Sequence, residues 1–190
     1  AAFLSDRRQY GKGSVADCGG TELCDIESSL PKFRLMSRIG LCAIFITMAV
    51  YRTQFALLFK EVLNLSESDY GLVITVLFGF MGGSFFLLSR FDSWHYNLWV
   101  LAGAQAGSGL SALLICAGVF FDFGLMFFII PMAIFGFAHS VVFLSHQFYS
   151  LCGSSKRSSE MAKHEMMIGI NNVAGSVAAG QVASVFGLHY

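Results

Sequence analysis

Five apolar runs, each close to the ~20 residues a helix needs to cross a bilayer, constrain this chain more than any other feature. They lie at 39–59, 70–88, 98–121, 124–148 and 166–188. Backbone placed in lipid has to satisfy its own hydrogen bonds, so runs of this length predict helices. The expected fold class is all-α, a polytopic transmembrane helical bundle over 39–190 preceded by a polar segment over 1–38. Composition agrees, because 55% of the residues are hydrophobic and only 13% are charged, about half the charged share of a soluble domain. A formal net charge of zero gives no electrostatic basis for a nucleic-acid partner. Cys18 and Cys24 share a polar loop without a nearby His, and Cys42, Cys116 and Cys152 fall in or beside apolar runs. That placement predicts neither a zinc site nor a disulfide framework, and no cofactor is expected.

The charges are clustered. Ten Lys and Arg residues lie in 1–38, in the connection at 89–97 and in the connection at 149–165, against Lys60 alone in the other connections, with Arg52 inside a run. Cytoplasmic loops carry such an excess, so residues 1–38 are expected in the cytoplasm and Tyr190 outside, in an integral multi-pass protein. Residues 1–38 mix charges with Gly and Ser and read as a flexible linker, with a short basic helix or anchoring cations after Pro31. Asn64-Leu65-Ser66 is a glycosylation sequon, and Ser66 to Asp69 has capping-box spacing, which predicts a helix start there. The chain opens on Ala1 and ends directly on an apolar run, so it is expected to be a piece of a longer, even-numbered bundle.

Several residues inside the runs are candidates for chemistry. Arg52 is a charge in the first run, which costs about 2.5–3.5 kcal/mol at mid-membrane unless it binds an anion, pairs, or snorkels to the surface. His139 and His146 are seven apart and share a helix face, where buried imidazoles can relay protons. Gln105 is the polar group of a glycine-rich third run, and Gly79, Gly82 and Gly83 occupy the second. Glycines at such spacing allow close helix packing. In the fifth run Glu165 follows His164, but Ile168 stands where a HExxH zinc motif needs a second His. Asn171 and Asn172 follow. Asn172, Ser176 and Gly180, with Gly169 and Ala183, make a small, partly polar stripe, which is either a packing seam or the wall of a solute pathway.

Four stretches resemble the major facilitator superfamily of secondary transporters. LNLSESDYGLVITVLFGFMGG resembles that family's outer loop and following span. LSRFDSWHYN sits where the family places its Gly-x-Leu-x-Asp-Arg-x-Gly-Arg loop, and of that motif Arg90 and Asp92 remain. A tight outer turn falls at Asp122, and YSLCGSSKRSSEMAKHEMMIGINNVAGSVAAGQVA is similar to a loop leading into a Gly-rich helix. The likeness covers roughly 34–188. The weakened loop motif implies the C-terminal half of a twelve-span two-fold repeat, with the five runs as spans seven to eleven. The alternative numbering makes them spans one to five. Gly175 and Gly180 have no proline beside them, so the family's antiporter motif is not met.

The resemblance implies a small solute as partner, with a coupling proton or ion, carried by two halves rocking about a midplane site. It implies no catalytic residue. Arg52 and His139, then Asn171 or Asn172, would contribute most to that site. Two other readings stay open on the residues themselves. One is a non-transporting receptor or assembly protein on the same scaffold. The other is an intramembrane serine protease using Ser108 in Ala106-Gly107-Ser108-Gly109.

Overall fold

A computed structural model of the chain describes residues 22–91, 93–152, 154 and 156–186. The chain divides into two units, 1–32 and 33–190. In the first, the described residues form the opening of helix α1 (Glu22–Thr53). The flexible reading of 1–38 therefore gives way to helix from residue 22 onward, with Pro31 inside it. The second unit holds the rest of α1, then α2 (Phe55–Leu57), a π-helical turn (Leu58–Val62), α3 (Glu67–Leu88), α4 (Leu98–Phe120), α5 (Leu125–Leu151) and α6 (Arg157–Phe186). No strand occurs among the described residues.

Local chemistry explains the boundaries. The Ser66 hydroxyl accepts from the Asp69 amide at 3.2 Å, and the Ser66 amide donates to Asp69 Oδ2 at 2.9 Å. This reciprocal capping box starts α3 where the spacing placed it. Asn97 caps α4 by accepting from the amides of Trp99 and Val100. The turn between α4 and α5 passes through Asp122 at φ 51°, in the left-handed region that Asp tolerates better than most residues. The first run does not continue as one helix to residue 59. It breaks at Gln54 and resumes through α2 into the π-helical turn.

Four helices among the described residues are long and apolar enough to cross a membrane. They are α1 over Ser29–Thr53, then α3, α4 and α5. The fifth expected span falls in α6, a helix of 30 residues that opens on a charged stretch and is not among those four.

The helix α5 is the centre of the second unit. Its most apolar window is 56% buried, against 17% in α3 and 28% in α4. Against α3 the approach is backbone to backbone. A Cβ on Gly136 would stand 2.5 Å from the Leu77 carbonyl oxygen and 3.1 Å from the Met81 nitrogen, and the Ser140 hydroxyl beside it donates to the Met81 carbonyl at 2.9 Å. Against α4, the Ser111 hydroxyl donates to the Pro131 carbonyl at 2.8 Å. Against α1, Phe135 meets Tyr51 and His139 meets Phe45. The glycines read as packing sites in the second run do not fill that role, because a Cβ at Gly79, Gly82 or Gly83 would meet nothing within 4 Å. Outward faces carry large apolar side chains, including Trp99, Leu113, Phe120 and Ile130. So much exposed apolar surface suits lipid as the solvent.

This packing separates two kinds of glycine. Gly136→Ala is expected to push α3 off α5 and cost about 1–3 kcal/mol, whereas Gly79→Ala is expected to be neutral or to stabilise by up to about 1 kcal/mol through helix propensity. Unfolding midpoints of the two variants in mild detergent check this.

Candidate functional site

The tertiary structure gathers most of the basic residues of the second unit at one end of the bundle. Arg34 of α1 reaches the C-terminus of α5, where its Nε donates to the Tyr149 carbonyl at 2.9 Å and its terminal nitrogen donates to the Cys152 carbonyl. A guanidinium here satisfies helix-end carbonyls and complements the negative end of the helix dipole. One turn on, Arg38 lies 3.8 Å from Glu160 at the start of α6, and Lys163 bonds the same carboxylate at 2.6 Å. The connection between α3 and α4 closes this end through aromatic contacts. There the Tyr96 amide donates to the Tyr149 hydroxyl at 3.0 Å, and His95 stacks on Phe148.

A cavity of about 240 Å³ opens at this basic end, between α1, α5 and α6. Arg38, Glu160 and Lys163 supply its charges, and His146 and Ser150 supply the wall from α5. Behind that wall the His146 ring meets His164 of α6, Nδ1 to Nδ1, at 2.6 Å. Both imidazoles are buried, and the Ser150 hydroxyl lies 3.4 Å from His146 Nε2. Phe143 presents an edge-to-face contact to His164 and lies parallel to His139 on its other side.

His139, one step deeper along α5, is 4% exposed, and neither ring nitrogen has a hydrogen-bond partner. Its neighbours are the rings of Phe45, Phe135 and Phe143. Leaving such a group unpaired costs a folded protein about 1–3 kcal/mol. His139 and His146 do share one face of α5, as their spacing predicted, and that face turns inward.

The other sequence candidates divide. Asn171 is buried, and its Nδ2 donates to the Met167 carbonyl at 2.7 Å and to Cys42 Sγ at 3.3 Å. Asn172 beside it is half-buried, and Glu165 is exposed. Gln105 spends its amide on a helix contact, donating to the Met36 carbonyl at 2.9 Å. It also fills the space over Gly40, where a Cβ would lie 2.6 Å from Gln105 Nε2. Arg52 is exposed in the last turn of α1 and distant in sequence from the cavity's charges. Arg90 lies over the Phe86 ring at 4.7 Å, a cation–π contact. Asp92 lies outside the described residues. Ser108 is buried and forms no hydrogen bond with His139, His146 or His164.

The seam of α6 is offset by one residue from the stripe read in the sequence. Its inward face carries Glu160, His164, Asn171 and Gly175, while Gly169 and Gly180 face open space. Gly175 sets the offset. A Cβ there would stand 2.9 Å from Ala49 Cβ and from the Ile46 carbonyl oxygen, so only a glycine lets α6 sit on α1 at this crossing. His164, Glu160, Lys163, Arg38 and Ser150 belong to the site although they lie outside the candidates that the sequence suggests. A signal was present in the steps from 160 to 164, 167, 171 and 175, each of three or four residues, which keeps all five positions on one helix face.

The chain matches no family model, and neither a curated protein nor a solved structure matches it.

The hydrogen bond from Lys163, with the nearby Arg38 and Arg34 charges, holds the Glu160 carboxyl below its ordinary range. A depressed folded value means that this carboxylate stabilises the fold above the ordinary carboxyl value and ceases to do so as pH falls through the depressed one. Amide protection factors in the first turns of α6, taken relative to the intrinsic exchange rate at each pH, are therefore expected to fall on acidification in the native protein. In Glu160→Gln they are expected to be low at both pH values.

Proposed function

We propose that this chain belongs to a secondary transporter of the major facilitator type, moving a small solute across a membrane by alternating access. The observation that carries the reading is the buried polar face of α5, where Ser150, His146 and His139 follow one another inward from the basic cavity. Ionisable side chains inside a membrane bundle are costly and mark pathways for solutes and protons. The residue pattern of the sequence supplies the family likeness, including the place of the chain in a twelve-span repeat. On this reading residues 1–38 and the basic end face the cytoplasm, in accord with the charge bias. His139 and Asn171 contribute to the solute path, Arg52 acts near the opposite mouth, and the solute travels with a coupling proton or ion. The bilayer is the other partner.

His139 offers a direct test, because function and stability pull in opposite directions there. His139→Leu removes two unpaired polar atoms from an aromatic surround and is expected to raise stability by about 1–3 kcal/mol. The full-length protein in liposomes is expected to take up at least one solute from a radiolabelled panel of sugars, amino acids and organic acids. Uptake is expected to fall at least about tenfold, a barrier change of about 1.4 kcal/mol, in His139→Leu and in Arg52→Gln. Uptake no greater than that of empty liposomes across the panel contradicts transport. Uptake unchanged in both variants contradicts these two assignments.

A further inference from the structure

His164 has no role in the path along α5, yet it makes the shortest contact between two ionisable rings among the described residues. The rings of His146 and His164 lie nearly parallel, with centroids 4.8 Å apart and planes at 19°, and their Nδ1 atoms are 2.6 Å apart. Two imidazole lone pairs repel at that distance, and two N–H groups repel more strongly. One proton fits between them. In the neutral pair one ring therefore donates Nδ1–H to the other. A further proton can be accommodated on an outer nitrogen while the shared one stays in place. Two further protons cannot, because the shared position would then hold two N–H groups face to face.

We propose that His146 and His164 form a proton-binding site that fastens α6 to α5 at the basic end of the bundle, closed with no added proton or one and opened by a second. Its ligand is the proton, delivered through the cavity, since His146 lines that space and its Nε2 lies beside the Ser150 hydroxyl. An added proton binds His146 Nε2, which then donates to Ser150 Oγ while Nδ1–H remains shared with His164. The pair gains one positive charge and loses no bond. The surrounding charges are mixed. Arg38 of α1 and Lys163 of α6 oppose the added proton, while Glu160 in the cavity and Glu165 beside His164 favour it, and among the described residues α3 and α4 contribute no charged group to the cavity. Phe143 keeps the inner side of the pair apolar. Near the pair, Asn171 of α6 bonds Cys42 of α1, so opening at His164 would free the first turns of α6 while the Gly175 crossing held the rest.

The site would serve as the coupling point if the chain transports, a use that rests on the transporter reading. The proton site itself does not. The test is nitrogen-15 magnetic resonance of the full-length, histidine-labelled protein in liposomes as pH is lowered. The unmodified protein is expected to show a through-hydrogen-bond coupling between one nitrogen of each ring. It is also expected to show two macroscopic titration steps separated by more than about one pH unit, with the coupling lost at the second. His164→Asn is expected to abolish the coupling and leave His146 with one step. Two uncoupled rings that titrate independently overturn the proposal, and that result needs no variant. Coupling and split steps in a protein that moves no solute would uphold the proton site and remove the transporter reading.

Discussion

Enclosure of α5 is the constraint on which the rest of the structure depends. A helix surrounded by α1, α3, α4 and α6 cannot present large side chains on every side and still be approached closely. The sequence resolves this with Gly136 against the α3 backbone and with small hydroxyls, Ser111 and Ser140, that bond main-chain carbonyls across the crossings. Within a bilayer, apolar burial does not drive helices together, because lipid tails are as apolar as the core. Close van der Waals contact and interhelical hydrogen bonds have to do so. The surrounding helices can then leave much of their apolar surface facing outward, as the low burial of α3 shows.

The same enclosure makes the polar face of α5 informative. A histidine on the outward face of α3 could reach lipid headgroups or water. His139 cannot, and His146 meets only the cavity at the basic end, so the two have different solutions. His146 finds His164 and Ser150, while His139 finds only aromatic rings. The basic end adds a ring of charge whose members hold one another. Arg34 bonds the end of α5, and Glu160 is held by Lys163 and Arg38. The cavity therefore joins a solvated ion-pair network to a buried imidazole pair within one helix turn.

Much of this was legible in the sequence. The lengths of the apolar runs gave the helices, Ser66 and Asp69 gave the start of α3, and the spacing of His139 and His146 gave their shared face. What was not legible depended on which helix stood opposite. Gly136 and Gly175 are isolated glycines, less conspicuous than Gly79, Gly82 and Gly83, yet they make the close crossings. Gly175 also turns α6 by one residue from the stripe through Asn172 and Ser176, which brings His164 inward and leaves Gly169 and Gly180 outside. His164 completes no local metal motif, because its partner lies eighteen residues away on another helix. The extension of α1 back to Glu22 was masked by the polar, proline-containing composition before residue 38.

The transmembrane arrangement requires α3, α4 and α5 to cross the membrane between Lys60 and Lys163, with the basic end on one side. Three crossings put those two residues on opposite faces. The direct measurement is labelling of a cysteine placed at each position, in a background without native cysteines, by a membrane-impermeant thiol reagent added to one side of sealed vesicles. The account predicts that Lys163→Cys reacts from the cytoplasmic side alone and Lys60→Cys from the other side alone. Reaction of both from the same side would contradict it.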